Sequence, residues 1–94
     1  MPTISQFFGI TIRLYFGITI RLYYRDHAPP HFHAVYKEHE AKIDIEKLDI
    51  ISGHLPRRAL GLVLDWAELH QQELRENWAR AEQHRMLDAI KPLE

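Results

Sequence analysis

A tandem repeat constrains this chain more than any other feature. Residues 8–15 read FGITIRLY, and residues 16–23 read FGITIRLY again. Eight residues make one strand, whereas the modules of a solenoid run to about 20 residues or more. Side chains on a strand alternate between faces, so an insertion of even length returns every residue type to its original face. Ile10, Ile12, Leu14, Phe16, Ile18, Ile20 and Leu22 therefore share one side. Thr11, Arg13, Tyr15, Thr19, Arg21 and Tyr23 share the other. A single strand over residues 7–24 would still extend about 60 Å at roughly 3.3 Å per residue. Part of it must overhang, fold back or pair with another chain.

The whole chain has 94 residues, which is the size of one small domain spanning 1–94. It contains no cysteine, so disulfides, thiolate zinc sites and a cysteine nucleophile are excluded together. Any metal would be held by His, Asp or Glu. The N-terminus has no basic segment leading into an apolar run, and no stretch has the roughly 18 apolar residues of a membrane helix. A cytoplasmic protein that does not enter the membrane is the expectation. Twelve Lys and Arg against thirteen Asp and Glu leave a net charge of −1, so only a local patch can attract nucleic acid.

Residues 25–30, RDHAPP, form a break, because proline lacks an amide donor and holds the preceding residue extended. Residues 31–46 then read as a β-hairpin joined by Lys37, Glu38, His39 and Glu40. With Tyr36 opposite Ala41, alternation sets His33 opposite Asp44 and His31 opposite Glu46. A long helical pattern follows over 56–85, opening at Pro56, where proline is tolerated in a first turn. Leu60, Val63, Leu64, Ala67, Leu74, Trp78 and Ala81 recur at helical spacing, widened by Trp66 and Leu69. Gln71 and Gln72 mark a place where that helix can bend. The expected fold class is α+β: a small antiparallel β-meander of about three strands packed against one long C-terminal α-helix.

Seven histidines are the compositional anomaly, and His27, His31 and His33 fall within H-A-P-P-H-F-H. His31 and His33 lie two apart on a strand, so both imidazoles leave one face and offer a bidentate platform. His27 can add a third nitrogen, and Asp44 or Glu46 an oxygen, in the open-site pattern of a catalytic zinc or nickel centre. The same His31, His33, Asp44 and Glu46 are the candidates for metal-free acid/base chemistry. The plain alternative is that the histidines only hydrogen-bond those carboxylates and stabilise the hairpin.

Arg13, Arg21 and Arg25, interleaved with Tyr15, Tyr23 and Tyr24, are candidates for contacting a partner or RNA. The ordinary reading is a wet sheet face covered by long side chains. Trp66, His70, Glu73 and Asn77 fall along one helical stripe, which reads more simply as the border between buried and exposed surface. No phosphate-cradling glycine loop, nucleophile elbow or kinase-type signature is present.

The opening MPTIS, the segments FFGITIRLY, RDHAPPHFHA and LPRRALGLVLDWAELHQQEL, and the closing I-K-P-L together resemble domain-of-unknown-function family 4160. His31, Phe32 and His33 match the HFH hallmark of that family, and Pro29 and Pro30 match the pair before it. Deleting one FGITIRLY copy would give an ordinary-looking member. The resemblance implies a small bacterial protein of no assigned activity, from genes arranged like toxin and antitoxin pairs. It points to an interaction module with a His-rich functional face, binding a protein partner, with RNA as a further ligand. The rival reading is a small metal-dependent or acid/base hydrolase or nuclease. The overlong first strand, over 1–24, adds self-association as a homodimer to the expectations.

Overall fold

The duplicated segment folds back on itself. Strands β1 (Phe8–Arg13) and β2 (Ile18–Tyr23) are antiparallel neighbours, with Ile12 opposite Ile20 and Thr11 opposite Arg21. Ile12 and Ile20 are the same residue of the two copies, so the repeat pairs with itself about their midpoint. Gly17 sits at the fold-back with φ +76°, a left-handed conformation that glycine adopts without steric cost. The Leu14 amide donates to the Ile18 carbonyl at 2.8 Å and closes the turn. From Ile10 to Arg13 even-numbered residues oppose even-numbered residues, with a register shift only between Phe8 and Ile10, so the apolar face survives the reversal: Ile12, Leu14, Ile18, Ile20 and Leu22 are all buried.

The computed structural model describes residues 8–14, 17–23, 28–83, 87 and 90, with the backbone alone at 8–10. Among them, β3 (His31–Tyr36), β4 (His39–Asp44) and β5 (Ile50–Gly53) continue the meander in the order β1-β2-β3-β4-β5. Five antiparallel strands thus replace the expected three. The split of the repeat adds one. The second addition, β5, is a short edge strand whose Ile50 and Ile51 are exposed and give no alternating signal. Gly53 ends it at φ +86°, and a Cβ there would stand 2.2 Å from the Glu40 carbonyl oxygen, so only glycine fits beside β4.

The hairpin register differs from the expected one by two residues. Tyr36 pairs with His39, Ala34 with Ala41, Phe32 with Ile43, His33 with Lys42 and His31 with Asp44. Lys37 and Glu38 alone make the turn, with Lys37 at φ +54°. Lysine is an unusual residue for that conformation, and the Asn-Gly or Asp-Gly signal of a two-residue turn is absent. A two-residue shift keeps every side chain on its face but changes its neighbours.

The single helix expected over 56–85 is two helices, α1 (Arg57–Leu69) and α2 (Gln71–Glu82). His70 interrupts them at φ −116° and ψ 23°. The Gln71 side-chain amide donates to the Ile45 carbonyl at 2.7 Å and the Glu46 carbonyl at 3.1 Å, tying the junction to the end of β4. Ala59, Val63, Trp66 and Ala67 of α1, with Leu74 of α2, join the buried apolar residues of the sheet in one core, and Trp78 of α2 sits at its border. The Phe32 and Trp66 rings meet edge to face at 6.0 Å, a favoured aromatic geometry at the centre of this contact. No helix among the described residues is long and apolar enough to cross a membrane.

Candidate functional site

The second sheet face carries the polar residues of the alternating strands. One row crosses it with Thr11, Arg21, His33, Lys42 and Ser52 as successive cross-strand partners. His31 stands two residues along β3 from His33, and its imidazole lies 5.1 Å from that of His33 between ring centroids, at 64°. Tyr23 presents its ring to His33 at 4.7 Å, and Trp78 of α2 approaches His31 at 5.3 Å. The four rings form a continuous chain. Both histidines are buried, His31 at 4% and His33 at 8% exposure, although they belong to the polar face.

Each imidazole is held through Nδ1. His31 Nδ1 lies 2.8 Å from the Pro29 carbonyl oxygen, and a carbonyl only accepts, so Nδ1 is the donor. His33 Nδ1 lies 3.1 Å from Glu40 Oε2, a carboxylate half exposed to solvent. Glu40 is the residue that sequence reasoning missed. The sequence pattern puts it in the connection between strands, whereas the tight turn at Lys37 and Glu38 places it on β4, diagonal to His33. A Lys-Glu dipeptide carries no turn signal, so nothing in the sequence pointed to that geometry.

The two predicted carboxylates do other work. Asp44 is opposite His31, but its Oδ1 accepts the amides of Glu46 at 2.7 Å and Lys47 at 2.9 Å, which builds the turn after β4. Glu46 is in that turn rather than opposite His31, and its two carboxylate oxygens take the Arg75 Nε at 3.0 and 2.9 Å. The expected pairs, His33 with Asp44 and His31 with Glu46, are therefore corrected to His33 with Glu40 and His31 with the Pro29 carbonyl. His27 and Arg25 lie outside the described residues. Among those described, no group of three His, Asp or Glu side chains gathers to hold an ion, and no cleft encloses a ligand-sized volume.

Arg13 and Arg21 share the polar face in different settings. Arg13 is exposed on β1 opposite Thr19, while Arg21 is half-buried on β2 beside His33. On the helices, Trp66 and Asn77 of the predicted stripe are fully buried. His70 Nδ1 is hydrogen-bonded to Glu73 Oε1 at 2.5 Å, so this stripe is a packed border with one exposed pair.

Neither the curated proteins nor the solved structures yield a match. The family described as domain of unknown function DUF4160 matches residues 17–79, about two thirds of the chain. The matched stretch starts within the second copy of the repeat and includes β2 to β5, α1 and most of α2, leaving β1 outside it. Because the match covers every strand that builds the histidine cluster, the chain belongs to the DUF4160 family.

Proposed function

We propose that the chain is an interaction module of the toxin and antitoxin kind, which binds a protein partner through its His-bearing sheet face. The observation that carries this reading is the row of Arg21, His33 and Lys42 across three strands, backed by the Tyr23, His33, His31 and Trp78 ring chain. Arg21 and Tyr23, both partly exposed, are of the kinds that concentrate binding energy in protein interfaces, and the buried His33, His31 and Trp78 rings support them from beneath. The Nδ1 bonds fix the imidazoles, so the surface residues packed on them are held in place before a partner binds. RNA is a further ligand of the same face, with Arg13 and Arg21 as phosphate contacts. Self-association belongs to the proposal through the outer edge of β1, the terminal strand of the described sheet.

The test is co-purification of the neighbouring gene's product with the tagged chain. Arg21→Glu and His33→Ala each reduce the captured partner at least tenfold, while Arg57→Ala on the helix start leaves it unchanged. Capture that is indifferent to both face variants overturns the reading. An acid/base hydrolase is favoured by one observation: the Glu40 carboxylate orients the His33 ring, as an acidic residue orients a general base. For that reading, His33→Ala abolishes cleavage of an RNA or ester substrate that the intact chain turns over.

A further inference from the structure

We infer that His31 and His33 together form a bidentate site for a divalent cation that prefers imidazole ligands, represented by zinc, with each Nε2 as a ligand. The site lies on the proposed interaction face but needs no partner, so each can fail without the other. Its first support is the tautomer. The Pro29 carbonyl obliges His31 Nδ1 to carry hydrogen, which makes Nε2 the lone-pair nitrogen of the neutral ring. The Glu40 carboxylate sets the same tautomer on His33. Metal-binding histidines nearly always donate their other N–H to a backbone carbonyl or a carboxylate, which orients the ring and raises its basicity. Both kinds of support occur here side by side on one strand face.

The second support is spacing. With Zn–N bonds of about 2.0–2.1 Å and a tetrahedral angle at the ion, two imidazoles bound through Nε2 have centroids about 5 Å apart. The observed separation is 5.1 Å. Arg21 and Lys42 are the cross-strand neighbours of His33 and oppose a cation, while the Glu40 carboxylate offsets part of their charge. Two ligands and cationic neighbours set an affinity below that of a three-histidine centre. The remaining coordination positions fall to water or to a donor from a bound molecule.

The experiment is calorimetric titration of the full, metal-free chain with zinc chloride alone. One equivalent binds, and His33→Ala abolishes the heat. Glu40→Ala, at an exposed position, keeps the fold by far-UV circular dichroism and weakens binding tenfold to a hundredfold. His39 and His54, whose rings lie 5.6 Å apart, are the internal control, and His39→Ala leaves the titration unchanged. Absence of zinc binding to the intact chain overturns the site, as does binding that follows His39 instead of His33. An affinity unmoved by Glu40→Ala also overturns it, because the carboxylate then contributes nothing to the ligand.

Discussion

The two copies of FGITIRLY are identical in sequence and unequal in place. In β2, Ile20 and Leu22 have no exposed surface, and Arg21 is half-buried beside His33. In β1, the corresponding Ile12 and Leu14 keep 5% and 8% exposure, and Arg13 is exposed. Local preference is the same in both, so the difference comes wholly from neighbours: β2 is paired on both sides, and β1 is terminal among the described strands. The family match begins where β2 is about to start. The second copy holds the position that the matched domain needs, and the first has been added to its edge without disturbing the apolar face.

The largest effect that can break this comparison is a matched pair of cavities. Leu22→Ala removes a fully buried side chain from the middle of the sheet and costs about 4 kcal/mol. Leu14→Ala removes the same side chain at the hairpin end, where the chain can relax, and costs about 2 kcal/mol. Urea unfolding monitored by tryptophan fluorescence measures both. Equal losses would mean that β1 is as integral to the core as β2.

A smaller effect sharpens the same comparison at the junction of the copies. Gly17→Ala meets no atom within 4 Å, so its only cost is the left-handed backbone, about 1 kcal/mol. The loss appears as a melting-temperature drop of about 4–8 °C for a domain of this size. An unchanged melting temperature would show that the fold-back contributes no stability to the domain.

Alternation makes the faces legible in the sequence, because every apolar residue from Ile12 to Leu22 that is described is buried as the period of two requires. The HFH pair was legible for the same reason. Its partners were not. The register depends on a turn at Lys37 and Glu38 that lacks turn chemistry, so alternation alone puts Glu40 in a loop and sets Asp44 and Glu46 beside the wrong histidines. The helix is a mixed case: Gln71 and Gln72 mark a possible bend in the sequence, and the break falls beside them at His70. Its apolar periodicity runs through His70, and the break is set by Gln71 reaching the β4 end, a contact 26 residues away in sequence. Period reports which side is buried, whereas the register is set by the turn at Lys37 and Glu38 and the helix break is fixed by a long-range hydrogen bond.

The arginines give the smallest effect and the most specific one. Arg13 is exposed, so Arg13→Ala changes stability by less than about 0.5 kcal/mol. Arg21→Ala removes a half-buried stem packed on the polar face, and about 1 kcal/mol is lost through contact rather than charge. Lysine at position 21 restores part of that loss, since its stem covers similar surface without the planar head. Thermal melts of Arg13→Ala, Arg21→Ala and Arg21→Lys separate these terms. If the two alanine variants melt together, the polar face treats both copies alike, and the asymmetry is confined to the core side of the sheet.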